Sequence, residues 1–389
     1  GRPGGGSDQS GHGRPGMVEM ADIFRRYGPQ YRAKYGDRML PSHRQARGAI
    51  ERCRTLALGG HVYACEACGE TQYQYHSCRN RHCPKCQNGK AQLWLEKQQV
   101  LLLPVPHFLV TVTLPSELRR VARSHQKQIY DLLFRTSAAA MQHLARDPRF
   151  VGGQMGMVGV LHTWGRNLSY HPHIHYLVPG GGLAIAGQTW QPARNNFLLP
   201  VKALSRIVRA KFRDALRKTS LFALVPASVW QQAWVVHCQP VDNGLTALKY
   251  LAPYIFRVAI SNNRILKLAD GKVTFRYRAS DTGKLRTCTL AAEEFIRRFL
   301  QHVLPKGFMK VRYYGFLSTG CRQRLAAIRQ QLGSPPADPS QVPEGTDLDA
   351  QTTDHLADDS VPNPVLLCPS CGRVMRRRSI PRPQGRCPP

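Results

Sequence analysis

The sequence has no run of about 18 apolar residues, the minimum for a transmembrane helix, so a membrane-spanning helix is excluded. It has no Gly-x4-Gly-Lys-Ser/Thr motif, which argues against a fused helicase. The opening GRPGGGSDQSGHGRPG lacks an apolar stretch and so is no secretory signal; Met17 and Met20 are each candidate natural starts. No internal repeat is evident. Acid is scarce, with 24 Asp+Glu against 55 Lys+Arg and a formal charge of +31. An excess of that size suits a polyanionic partner, nucleic acid before an acidic membrane surface. Hydrophobic residues make up 42% of the 389, enough to bury a core in two or three domains.

The chain falls into five stretches. Residues 1–16 read as a flexible extension, and 17–103 as a helical, cysteine-rich N-terminal domain. Residues 104–330 read as a mixed domain, with a buried strand at 107–115 and a helix from Glu117 to Ala145. Two strands follow within 156–180, then a helix over 202–219, a strand over 230–240 and a helix over 244–256. An alternating strand over 272–278 and a helix over 291–304 come last. Residues 331–364 hold seven acids, six prolines and no Lys or Arg, the composition of a disordered linker. Without that segment, 55 basic residues face only 17 acidic ones, so the positive charge sits on the folded part. Residues 365–389 read as a basic tail containing CPSCG and Arg376-Arg377-Arg378.

Twelve cysteines in a long, basic chain suit zinc in a reducing compartment better than a disulfide framework. Cys65-x2-Cys68 and Cys83-x2-Cys86 are expected to face each other as two knuckles around one structural Zn2+, a zinc ribbon with all four positions filled. Cys53 and Cys78, with His61, His76 and His82, are candidates for a second site. Arg79, Arg81 and Lys85 on the same loop are candidate DNA contacts. Cys368-x2-Cys371 is half a ribbon whose only candidate partners are Cys387 downstream and His355 upstream.

His171, His173 and His175 alternate in YHPHIHYLV. Residues two apart on a strand share a side, so His173 and His175 offer two imidazoles to one ion from a rigid element. Downstream, Tyr250-Leu-Ala-Pro-Tyr254 places two phenols four apart on a helix, the spacing of one face. Pro253 either kinks that helix or stands in its first turn. A cation that polarises a DNA phosphate and a tyrosine that attacks it form a complete strand-cleaving pair. Trp164 and Tyr170 are candidates for stacking on unpaired bases.

With these motifs in place, the sequence resembles the HUH-type two-tyrosine rolling-circle insertion-sequence transposases of the IS91 type, which carry a zinc-binding N-terminus. The resembling segments are ALGGHVYACEACGE…HSCRNRHCPKCQ (57–87), FLVTVTLP (108–115), LHTWGRNLSYHPHIHYLVPGGG (161–182), LKYLAPYIFRVAISNNRI (248–265) and LPKGFMKVRYYGFLS (304–318). The resemblance implies an α+β fold: a central antiparallel sheet flanked by helices, histidines on a middle strand, tyrosines on a nearby helix, and an N-terminal zinc-ribbon-like module. It implies that His173 and His175 hold Mg2+ or Mn2+ and that Tyr250 and Tyr254 are the nucleophiles. The third ligand stays open among His162, His171 and a polar residue just after the tyrosines. Lys249, Arg257 and Arg264 are expected to contact DNA phosphates. The implied activity is nicking of single-stranded or hairpin transposon ends through a 5′-phosphotyrosine and transfer to target DNA, in the bacterial cytoplasm at the nucleoid, with oligomers allowed. A replication initiator or relaxase would share this chemistry. A non-enzymatic zinc regulator would leave the histidines and tyrosines idle.

Overall fold

A computed structural model describes residues 17–86, 90–184, 189–194, 196–241, 244–256, 259–279, 282–334 and 365–383. The acidic segment 335–364 therefore lies outside the described residues, as do residues 1–16, His355 and Cys387. In chain order the elements begin with α1 (Met20–Tyr35), α2 (Pro41–Arg52), β1 (Gly60–Ala64), β2 (Thr71–Tyr75), α3 (Lys90–Gln99) and β3 (His107–Thr113). Then come α4 (Arg119–Ser124), α5 (Gln126–Ala145), β4 (Gly153–Gln154), β5 (Met157–Trp164), β6 (Tyr170–Pro179), β7 (Gly181–Ala184) and β8 (Trp190–Pro192). The middle of the chain continues with α6 (Val201–Arg217), β9 (Val236–Val241), α7 (Gly244–Phe256), β10 (Ile265–Ala269), β11 (Lys272–Arg278) and β12 (Leu285–Ala291). It closes with α8 (Ala292–Leu300), β13 (Val311–Tyr314), α9 (Arg322–Gln331) and β14 (Arg376–Ile380). The fold is mixed helix and antiparallel sheet, as the sequence implies.

These elements form two compact units. The first draws on the described parts of 1–88, 260–303 and 351–389, and the second on those of 89–259 and 304–350. The sequential division at residue 103 differs from this. Residues 90–103 fold with the second unit, and 260–303 return to the first.

In the first unit, Met20, Ile23, Phe24 and Tyr31 recur at helical spacing and are buried. The Asp22 carboxylate reaches back to the Glu19 amide at 2.9 Å, satisfying one of the donors left open at the helix start. Phe24 meets Phe299 of α8 edge-on at 5.6 Å. α8 also packs on the β10-β11-β12 sheet, where Phe275 meets Phe295 at 5.6 Å. A second sheet has the order β14-β1-β2. Its strand β14 is the arginine run that the sequence reads as a tail, and it pairs antiparallel with β1 from Gly60↔Ile380 to Ala64↔Arg376.

The second unit is built on a five-stranded antiparallel sheet, β13-β5-β6-β3-β9, with β6 at its centre. Both faces are covered, which is why β3 and residues 176–179 of β6 read as nearly continuous apolar runs. On one face Val110, Val112, Ile174 and Tyr176 pack with Ile129, Leu133 and Met141 of α5 and Val208 and Phe212 of α6. On the other, Leu109, Val158, Val160 and Leu177 pack with Trp94 of α3, Leu248 and Leu251 of α7, and Ile328 of α9. Gly244 opens α7 where a Cβ would run into Leu102 and the His107 ring, so the helix sits close to β3.

Three sequence expectations are adjusted by packing. The helix expected over Glu117–Ala145 begins as a 3-10 turn at Ser116–Leu118 and breaks at His125, which has φ −128° and ψ 49°. The break separates α4, whose Arg119 reaches His171 of β6. The strand expected over 230–240 starts only at Val236, because Ala227–Trp230 forms a 3-10 turn that the Trp234 indole holds by donating to the Val229 carbonyl at 3.2 Å. Pro253 is not a first-turn proline, since α7 begins at Gly244 and runs through it.

Candidate active site and metal centres

His173 and His175 lie on the central strand β6, and His162 lies on the neighbouring strand β5. Register places His162 directly opposite His173, and Val160 opposite His175. Because side chains alternate, His162 shares a face with Val158 and Val160, and His173 and His175 share it with Leu177. That is the face on which α7 packs. One nitrogen from each of the three imidazoles lies within 4.8 Å of the other two. Each of the two β6 rings is fixed by its Nδ1. His173 donates to the His171 carbonyl at 2.7 Å, and His175 Nδ1 lies 2.8 Å from Thr111 Oγ1 on β3. Such partners set ring orientation and tautomer in metal sites.

Burial holds the rings neutral, the form a cation requires. It pushes His173 down to about 4, against the opposing bond to the His171 carbonyl, and His175 down to about 3, helped by His173. His162 is driven well below the ordinary histidine range by burial, with His175, His173 and Lys310 adding to it. Of the candidates for third ligand, the structure brings His162 into the group. His171 is instead engaged by Arg119, whose guanidinium donates to its Nδ1 at 2.8 Å. The residues just after the tyrosines, 257 and 258, lie outside the described residues.

Tyr250 and Tyr254 are both within α7, one continuous helix despite Pro253; their side chains lie outside the described residues. Leu248 and Leu251, beside Tyr250 in sequence, are buried with Val158, Val160 and Leu177 of the histidine face. Lys249 is exposed on α7. Arg257 lies outside the described residues. Arg264 belongs to the first unit, where its Nε donates to the Arg276 carbonyl at 2.9 Å. Trp164 flanks the histidines, its ring stacked 5.9 Å from His162 and covered by the Lys310 ammonium at 4.7 Å. Tyr170 points to the opposite face, buried with its hydroxyl against that of Tyr130, so it is a core residue and not a stacking platform. Arg119, Thr111 and Lys310 were missed in the sequence, since none carries a local motif.

The cysteines correct the sequence reading. Cys65 and Cys68 do not join Cys83 and Cys86. They form two separate groups of four, Cys53–Cys78–Cys83–Cys86 and Cys65–Cys68–Cys368–Cys371, each with its sulfurs within 4.8 Å of one another. In the first group, Cys86 Sγ lies 3.5 Å from Cys53 Sγ and 3.6 Å from Cys78 Sγ. A tetrahedral ZnS4 centre with bonds of about 2.3 Å has edges of about 3.8 Å, so the donor set fits zinc. The physical reason for the regrouping is chain direction. Cys65 ends β1, whose partner β14 is preceded by Cys368 and Cys371, while Cys53 ends α2 beside the 78–86 loop. Arg79 and Arg81 lie on that loop, and Lys85 pairs with Glu19 at 2.5 Å. His61, His76 and His82 are in neither group.

Among the described residues, no helix is long and apolar enough to cross a membrane. Residues 23–114 match the family described as "Transposase zinc-binding domain", and residues 156–324 match the one described as "Putative transposase". The chain is 42% identical over 347 residues to "Putative transposase y4qJ" of Sinorhizobium fredii, covering 83% of this chain and 86% of that protein. It is 29% identical over 302 residues to "Transposase for insertion sequence element IS801" of Pseudomonas savastanoi pv. phaseolicola, covering 72% of each. No solved structure matches it. With a zinc-binding cysteine module at one end of its matched length and a buried histidine group on the central sheet of the other, the chain belongs to the IS91-type transposase family, a family of DNA-processing enzymes of insertion sequences.

Proposed function

We propose that this transposase cuts single-stranded or hairpin transposon-end DNA through a tyrosine of α7, keeps the 5′ end as a phosphotyrosine and passes it to target DNA. The observation that carries this reading is the convergence of His162, His173 and His175 on the sheet face that α7 covers. The three imidazoles would hold Mn2+ or Mg2+; they are softer donors than Mg2+ selects for, so Mn2+ is the better fit. A bound divalent ion supplies Lewis acidity at the scissile phosphate. Thr111 and the His171 carbonyl fix the orientation of two of the rings that would hold the ion. Lys249 on α7 and Arg257 beyond it in sequence are candidate contacts for the strand's phosphates, and Trp164 offers a face for an unpaired base.

In the cleavage step the phenol oxygen of Tyr250 or Tyr254 bonds to phosphorus as the P–O3′ bond breaks. The phenol loses its proton and the departing 3′ oxygen gains one. The phosphodiester bond energy is kept in the tyrosyl ester, so rejoining needs no ATP. Two tyrosines let one hold the donor end while the other makes a second cut.

The test is incubation of an end-derived single-stranded oligonucleotide with protein and Mn2+, followed by a denaturing gel. A covalent adduct is expected, mapping to the tryptic fragment 250–257. Tyr250→Phe should abolish or severely reduce the first adduct, and Tyr254→Phe should block completion with a smaller effect on nicking. The double variant should bind DNA and form no adduct. Cleavage by the double variant, or label on another peptide, would overturn the tyrosine assignment.

A further inference from the structure

The C-terminal CxxC is a second copy of the turn that follows β1. In the first, the Gly69 amide donates to the Cys65 carbonyl at 2.9 Å, and the Cys65 amide to Glu70 at 2.8 Å. In the second, the Gly372 amide donates to the Cys368 carbonyl at 2.8 Å, and the Cys368 amide to Arg373 at 2.7 Å. Both glycines take the left-handed conformation, with φ 75° and 72°. The flanking pairs also match: Ala64↔Thr71 closes the first turn and Leu367↔Val374 the second. The antiparallel pairing of β1 with β14 brings the two turns face to face.

We propose that these two knuckles hold a zinc ion of their own, a clasp that fastens the C-terminal segment to the N-terminal hairpin. Cys65 Sγ lies 3.4 Å from Cys371 Sγ, and Cys68 Sγ 3.5 Å from Cys368 Sγ. These separations suit the edges of a tetrahedral ZnS4 centre and are far beyond a disulfide bond of about 2.05 Å. An all-sulfur tetrahedral donor set selects zinc over hard cations. Cys65 and Cys368 are buried together with Tyr63 and Met375, which makes the inner half of the site dry. Four thiolates around a dication carry a net double negative charge, and the adjacent strand supplies Arg376, Arg377 and Arg378. The match to the transposase zinc-binding domain ends at residue 114, so half of this site lies outside it. The knuckle that faces Cys65–Cys68 is thus one from about 300 residues downstream, and not the Cys83–Cys86 pair expected from the sequence.

The test measures zinc in the full-length protein. Two ions per chain are expected in the wild type and one in Cys368→Ser/Cys371→Ser; the single variant Cys371→His, which keeps four zinc ligands, should retain two. A wild type with one ion, or a double-serine variant with two, overturns the proposal. A second form guards against misfolding of the variant: a protease site placed within 335–364 and cut after purification. The cut fragments should co-elute and separate when a thiol reagent strips the metal. Fragments that stay together after zinc removal, or that part with both ions still bound, overturn the clasp.

Discussion

His162 stands opposite His173 across the β5–β6 ladder, its ring 5.2 Å from that of His173 and 4.6 Å from that of His175. The three rings thus come from two hydrogen-bonded strands, and their spacing is set by sheet register and not by a loop. If all three bind the catalytic cation, His162→Ala should weaken Mn2+ binding at least about 10-fold, the loss typical even of outer-shell partners, and abolish adduct formation. Calorimetric titration with Mn2+ measures this. Unchanged affinity would remove His162 from the ligand set. Total zinc should not change, since the cysteine groups are elsewhere.

The Cys53 group makes a separate prediction. Cys53 is fully buried at the end of α2, and Cys53→Ser deletes one thiolate from a closed site. One zinc per chain should be lost, with a lower melting temperature of the first unit. His173→Ala/His175→Ala should keep the full zinc count yet lose metal-dependent cleavage.

Binding to single-stranded DNA should weaken steeply with salt. Each neutralised phosphate of a single strand releases about 0.7 counterions, and a chain this basic should give a log–log slope of at least about −4. A slope near zero, read from fluorescence anisotropy across a salt series, would mean the positive charge is not the DNA surface.

Stability should fall between pH 6.5 and pH 4, in part through His107. Burial lowers its pKa from 6.5 to about 4; its Nδ1 donates to the Val105 carbonyl at 2.8 Å, and its Nε2 is buried with no partner among the described residues. The folded value lies below the unfolded one, so the unfolded chain takes up the proton first as pH drops. The contribution is intact above 6.5 and is lost as pH falls toward 4. His107→Gln keeps a donor and does not titrate, so its loss of stability from pH 7 to pH 5 should be about 2 kcal/mol smaller than that of the wild type. Urea unfolding at the two pH values checks this, and equal losses would exclude the role.

The elements legible in the sequence are those whose signal is local. Helix α7 and strand β11 have the residue ranges that periodicity gives, 244–256 and 272–278, and the His173/His175 pair falls on a strand because alternation announces it. What was hidden depends on distant partners. Nothing near Cys368 indicates that its companions are Cys65 and Cys68. The Arg376–Ile380 strand has no apolar alternation and exists because β1 offers it a backbone ladder. Thr111 and Arg119 gain their roles only when β3 and α4 lie beside β6.

The pairing of β1 with β14 also sets an order of synthesis. A two-stranded hairpin such as β1–β2 is marginal alone, and its third strand is encoded about 300 residues later. Closing a loop of that length costs about 5 kcal/mol of chain entropy. At about 5–20 residues per second, the ribosome needs roughly 15–60 s to deliver residues 376–380 after β1 emerges. By then every strand of the histidine-bearing sheet has been made, so a product that stops between residues 314 and 376 carries all five strands of that sheet and an unfinished zinc module.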